Sequence, residues 1–124
     1  MRTRVAFRLR ITCGEDIAVG PGKVDLLEAI DATGSISAAA RSLGMSYRRA
    51  WLLIDTMNRC FRRPVVDAEA GGPRGGGASL TPTGERLVLH YRHAQRLATQ
   101  SARVHTEAIR RLLAPTVSGK RRRD

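Results

Sequence analysis

The sequence predicts a mainly α-helical fold with a small β component. It is a winged helix-turn-helix with an N-terminal β-hairpin and a long C-terminal dimerisation helix. Three observations carry this prediction. Residues Gly34 to Phe61, GSISAAARSLGMSYRRAWLLIDTMNRCF, read as two short helices joined at a glycine. Two short apolar runs follow, separated by a stretch with five glycines between Ala70 and Gly77. A helical pattern then extends from Pro82 to about Leu113, longer than the rest of so small a domain can cover.

Taken in order, Val5, Phe7, Leu9 and Ile11 alternate with Arg4, Arg8 and Arg10, so residues 4–12 have the period of a half-buried strand. Cys13-Gly14-Glu15-Asp16 reads as a turn and Ile17-Ala18-Val19 as the partner strand. Gly20-Pro21-Gly22 breaks the chain. A helix is expected from about Lys23 to Ala32, with Val24, Leu27 and Ile30 inward and Thr33-Gly34 ending it. The next helix is expected over Ser37–Leu43, with Ile36, Ala39, Ala40 and Leu43 sharing a face. Gly44 can adopt the left-handed conformation that stops a helix, Met45 plugs the turn, and Ser46 is a good N-cap for the third helix. That helix carries Ala50, Ile54, Met57 and Phe61 at i, i+4, i+7 and i+11, an apolar stripe with Trp51 on its flank. Pro64 stops it. Val65–Ala68 and Ala78–Leu80 read as strands on either side of the Gly-rich loop. Thr81 caps a long helix opened by Pro82, with Leu87, Tyr91, Ala94 and Ala98 forming a seam and Thr99-Gln100-Ser101 a polar interruption. The resulting division is a hairpin over 1–19, a winged helix-turn-helix over 20–95, the rest of the long helix over 96–114, and a basic disordered tail over 115–124.

The chain has 124 residues and a net charge of +11. Residues 1–35 balance five basic against five acidic groups, whereas residues 36–63 carry six against one and residues 82–114 six against two. The positive field thus sits on the two short helices and the C-terminal third, which points to a polyanionic partner. Twenty of the 22 basic residues are Arg, the side chain whose fork matches phosphates and guanine edges. No apolar run reaches the roughly 20 residues needed to span a bilayer, and the start lacks the apolar core of a signal peptide. Cys13 and Cys60 form no close pair along the chain, and reduced thiols in a cytoplasm are the simplest reading.

Arg48 and Arg49 are the most informative residues. They fall in the first turn of a helix, where the macrodipole is positive and a surface cation costs about 0.3–1 kcal/mol. A capping box would place Glu or Gln at position 49. An approaching phosphate or guanine edge removes the penalty, and recognition helices read bases with their N-terminal residues. Ser46, Tyr47, Arg48 and Arg49 are therefore the expected reading set in double-stranded DNA, joined by Ser37 on the preceding helix and by Arg74 at the tip of the wing. An ordinary exposed basic face is the competing account. The Gly-rich loop lacks the GK[ST] ending of a phosphate-binding loop. His90, His93 and His105 have no Cys or carboxylate cluster to complete a metal site, and no catalytic constellation is visible. No enzymatic activity, metal, cofactor or small-molecule ligand is expected.

The run LLEAIDATGSISAAARSLGMSYRRAW, the Gly-rich loop and ASLTPTGERLV together resemble the N-terminal winged helix-turn-helix domain of ModE-type molybdate-dependent transcriptional regulators, over roughly residues 20–95. The chain is similar, more loosely, to the DNA-binding domain of LysR-type regulators. The ModE resemblance implies a homodimer on a palindromic operator, with the long C-terminal helix at the dimer interface. It also implies a recognition helix over Ser46–Phe61, a wing over Ala70–Ala78 and a link to molybdenum metabolism. Pro73-Arg74 departs from the family's more continuous glycine run. Full-length members bind molybdate in C-terminal barrel domains, and this chain stops soon after its long helix. It therefore resembles the stand-alone DNA-binding form, with no complete molybdate site expected. The alternatives are a non-specific nucleoid-associated or RNA-binding protein, which needs the charge but no base reading, and an interaction module that uses the long helix alone.

Overall fold

In a computed structural model describing residues 2–69 and 77–115, the elements run β1 (Ile11–Cys13), β2 (Asp16–Val19), α1 (Pro21–Thr33), α2 (Ile36–Ser42), α3 (Tyr47–Cys60), β3 (Val66–Glu69), β4 (Gly77–Leu80), α4 (Pro82–Ser101) and α5 (Arg103–Arg111). β1 and β2 form one antiparallel hairpin, with Cys13 opposite Asp16 and an irregularity between Ile11 and Thr12. β3 and β4 form the other, with Val66 opposite Leu80 and Glu69 opposite Gly77. Residues 70–76, including Arg74 and most of the expected wing, lie outside the described residues, as does the tail beyond Pro115.

The core has two parts. Leu26, Leu27 and Ile30 of α1, Ile36, Ala39 and Ala40 of α2, Ala50, Ile54 and Met57 of α3, and Val65 and Val66 make the larger one. Val19, Val24 and Tyr91 make the smaller, which joins β2, α1 and α4, and Phe61 packs against both. Small residues at 39, 40 and 50 let the three helices approach closely. The expected inner face of α1 is wider than periodicity indicated: Leu26 is fully buried as well, because α1 is covered by α2 on one side and α4 on another.

Local signals set most boundaries. Pro21 does not break the chain but opens α1, its fixed φ suiting the first helical position. Gly34 ends α1 with φ 72° and donates to the Ile30 carbonyl. Ser35 caps α2 by accepting from the Ala38 N–H at 3.1 Å. Leu43 does not share the buried face of α2. It is the C-cap and 39% exposed, since the helix stops one residue earlier than its apolar pattern. α3 ends at Cys60, with Phe61 already extended, so Pro64 follows the stop rather than making it.

Two larger differences concern the ends. Residues 2–10 are not a strand of a sheet; hydrogen-bonded pairing begins only at Ile11. The alternation persists as burial, with Thr3, Val5, Phe7 and Leu9 half-buried and their neighbours exposed. Backbone partners come instead from α4: the Tyr91 hydroxyl donates to the Leu9 carbonyl at 2.7 Å and Gln95 Nε2 to the Phe7 carbonyl at 3.1 Å. Burial pushes the Tyr91 phenol above its usual value, so the donor form is favoured. The long helix is also not continuous. It breaks at Ala102, next to the polar Thr99–Ser101 stretch, and resumes as α5, none of whose residues is buried.

Arg92 fastens α4 to α1 through Glu28 (2.5 and 3.0 Å) and Asp25 (3.0 Å). The guanidinium holds the Glu28 carboxyl below the usual carboxylate range, so this contribution is present near neutral pH and is lost as the pH falls through that lowered value. Asn58 fastens the second hairpin to α3, its Oδ1 accepting from the buried Val65 N–H at 2.8 Å and from Val66 N–H at 3.4 Å. Asn58→Ala leaves the Val65 N–H without its acceptor and is expected to cost about 2 kcal/mol in urea unfolding. An unchanged midpoint would show that water replaces the amide.

Candidate nucleic-acid interface

The two-helix unit is built by short-range contacts. Gly44 takes φ 69°, and the N–H groups of Leu43, Gly44 and Met45 bond back to carbonyls of α2. Met45 is half-buried against the core, filling the turn. Ser46 Oγ then accepts from the Arg49 N–H at 3.1 Å and starts α3. With Ala50, Ile54 and Met57 turned inward, the opposite stripe of α3 faces solvent. Arg48, Leu52, Asp55 and Arg59 recur on it at the same helical spacing.

The expected reading residues come together in part. Ser46, Tyr47, Arg48 and Arg49 are all exposed at the N-terminal end of α3, and Ser37 is exposed in the first turn of α2. Arg74 lies outside the described residues. Among the described residues, neither Arg48 nor Arg49 pairs with a carboxylate, and no acidic residue occupies the first turn of α3. Arg59, farther along, is paired with Asp55 at 3.1 Å. The positive charge near the start of α3 is therefore not neutralised by any carboxylate among the described residues. Partial burial, with Arg49 and Arg10 acting in the same sense, holds the Lys23 ammonium below its usual value on the neighbouring helix.

Sequence reasoning missed the apolar part of this surface. Trp51 is 37% and Leu52 is 55% exposed, and Trp51 meets Tyr47 edge-to-face at 6.3 Å. The signal was available: position 52 lies across the helix from the buried stripe, where an apolar side chain has no core to join. Exposed apolar groups on such a helix can meet thymine methyls.

His93 Nδ1 lies 3.0 Å from an Arg96 nitrogen, and among the described residues no group of three or more His, Cys, Asp and Glu side chains is placed to hold a metal. None of their helices is long and apolar enough to cross a membrane.

Three helices packed on a short hairpin, with a solvent-facing, basic N-terminal turn on the third, define a winged helix-turn-helix protein. Residues 22–85 match the family model of the bacterial regulatory helix-turn-helix protein, lysR family, over more than half of the chain. The chain belongs to that family, which is one of regulators rather than enzymes.

Among known proteins it is similar to the molybdenum-pterin-binding protein MopB of Rhodobacter capsulatus, 53% identical over 59% of this chain and 27% of that protein. It is also similar to the molybdenum transport protein ModE of Azotobacter vinelandii, 42% identical over 81% of this chain and 37% of that protein. The DNA-binding transcriptional dual regulator ModE of Escherichia coli is 35% identical over 73% of this chain and 34% of that protein. The chain thus spans between about a quarter and two-fifths of the length of these relatives. A solved structure, ArgP from Mycobacterium tuberculosis, aligns with TM-score 0.45 and 23% identity over 74% of this chain and 30% of that one, a likeness too low to carry an argument.

Proposed function

We propose that this chain is a sequence-specific DNA-binding transcriptional regulator of the bacterial cytoplasm, acting as a homodimer on a palindromic site. Residues 46–61 enter the major groove, and the site is read through them and the wing, 70–78. Ser46, Tyr47, Arg48 and Arg49 contact the DNA first, with Ser37 on its backbone and, on sequence alone, Arg74 from the wing. The observation that carries this reading is the pair of exposed arginines in the first turn of α3, uncompensated by any described carboxylate. Such a turn is stabilised when an anion approaches the helix N-terminus.

A second copy is supported by the C-terminal helices. Leu89 and Leu97 of α4, Val104 and Ile109 of α5, and Leu112 and Leu113 just beyond it are all at least half exposed, and pairing with a partner helix removes that apolar surface from water. The unit divides, on this reading, into a reading domain over 20–95 and a pairing helix over 96–114, preceded by the hairpin and followed by a basic tail. Likeness to proteins named for molybdenum transport and molybdenum-pterin binding supports a link of this regulator to molybdenum metabolism. Reading DNA in this way requires no cofactor, because protein side chains supply every contact invoked.

Selection of bound sequences from a random double-stranded pool tests the proposal. Enrichment of an inverted repeat, with half-sites about one helical turn (10–10.5 base pairs) apart or a multiple of it, is the expected result. Affinity should fall steeply as salt rises. Enrichment without symmetry removes the dimer. Equal binding to all sequences favours instead the non-specific nucleoid or RNA-binding reading, which the charge alone would allow.

A further inference from the structure

Cysteines 13 and 60 are far apart in sequence, but the fold brings them together. Cys13 ends β1 and faces Asp16 across the hairpin turn, while Cys60 is the last residue of α3. The hairpin lies against that end of α3, where the Asp16 carboxylate stands 3.9 Å from the Arg59 guanidinium. Neither cysteine is in a disulfide; Cys13 is exposed and Cys60 half-buried. Cys13 lies within the electrostatic field of Cys60 and acts to push its thiol up.

We propose that Cys13 and Cys60 form a dithiol site that a hydroperoxide oxidises to an intramolecular disulfide, clamping the N-terminal hairpin to the C-terminal end of the helix that carries the exposed arginines. Exposure makes Cys13 the attacking group. Its thiolate displaces the far oxygen of the peroxide O–O bond, giving a sulfenic acid, and the departing hydroxide takes a proton to leave as water. Cys60 then attacks the Cys13 sulfur as its thiolate. The S–S bond forms, and the sulfenic hydroxyl leaves as a second water. In sum, two thiols and one hydrogen peroxide give one disulfide and two waters, and the two electrons lost by sulfur reduce the peroxide.

The surroundings agree with these roles. Partial burial, with Cys13 and Asp16 acting in the same sense and Arg59 against them, pushes the Cys60 thiol above its usual value. Lys23 of α1 also faces it and is the second cation in its field. A thiol with little thiolate is poorly suited to meet the oxidant first, and better suited to resolve a sulfenic acid already held beside it. The inference does not depend on what α3 binds.

The test uses the full chain, reduced and then treated with stoichiometric hydrogen peroxide. Peptide mapping without reductant should recover Cys13 and Cys60 in one linked species. The intact mass should fall by two hydrogens, with no covalent dimer. The thermal midpoint should shift upward and return on adding dithiothreitol, since closing a long loop restricts the unfolded chain. Cys13→Ser and Cys60→Ser should each melt like the reduced parent and show no shift on oxidation. A sulfinic adduct without a cross-link, or a disulfide between two chains, would overturn the site. A mapped Cys13–Cys60 link with an unmoved midpoint would overturn the clamp.

Discussion

Replacing Arg48 and Arg49 together by alanine is expected to abolish most of the chain's preference for its own site while leaving the fold intact. A bidentate Arg contact to a guanine edge is worth about 1–3 kcal/mol of discrimination, so losing two corresponds to a factor of roughly 30 to 10⁴ in the ratio of selected to random DNA. The same change removes two cations from a helix N-terminus, each worth about 0.3–1 kcal/mol in the unfavourable sense. The variant should therefore melt no lower than the parent, and somewhat higher at low salt. That opposition of signs separates a reading role from a structural one. Gel shifts at fixed ionic strength against selected and scrambled duplexes, with a thermal melt of the same preparation, measure both. Lost specificity together with a lower melting point would mean that the arginines support the fold. Unchanged specificity would remove them from the interface.

Gly84→Ala is expected to be the most damaging single methyl that this chain can receive at any of its described glycines. A Cβ built there falls 2.1 Å from the Val65 carbonyl oxygen and 3.0 Å from its carbon, and both are backbone atoms that cannot swing aside. The same carbonyl accepts from the Thr81 N–H at 3.0 Å, and Thr81 Oγ1 donates to the Pro64 carbonyl at 2.6 Å. Moving α4 outward to admit the methyl breaks this junction. Overpacking of this kind costs about 3 kcal/mol, a fall of order 10 °C in melting temperature for a domain of this size. Gly22→Ala provides the contrast. It lies within α1 with nothing in 4 Å of the new Cβ, so it should stabilise by about 0.4–1 kcal/mol through the unfolded chain. Equal effects of the two substitutions would show that helix propensity, not the Val65 contact, decides at position 84.

The helix-turn-helix was legible because its determinants are local. A left-handed glycine, a serine cap three residues before the N–H that it accepts, and an apolar stripe at helical spacing lie within a few residues of one another. What the sequence hid was long-range. Alternation over residues 4–12 reports that one face is covered, not what covers it; here the cover is α4, and Leu9 and Phe7 find their donors more than 80 residues away. Ala102 is a good helix former, so the polar Thr99–Ser101 stretch marked an interruption without fixing the break at the residue after it. Leu26 fell outside a three-residue stripe because a second helix packs on α1 from another side. The meeting of Cys13 with Cys60 depends on where the hairpin lands on α3, and no spacing encodes that. Of the candidate site, the charged residues could be found by their misfit with the helix dipole. Trp51 and Leu52 were missed because apolar residues in a helix are ordinarily assigned to the core.

The second hairpin is anchored at its root from three directions. Asn58 of α3 holds Val65 and Val66, the Gly34 carbonyl at the end of α1 accepts from Ala78 at 3.0 Å, and Thr81 closes onto Pro64 and Val65. Every one of these fastenings lies at or below the strands. The hairpin root is thus a common joint: a tilt of α1, of α3 or of the start of α4 is carried straight into the two strands.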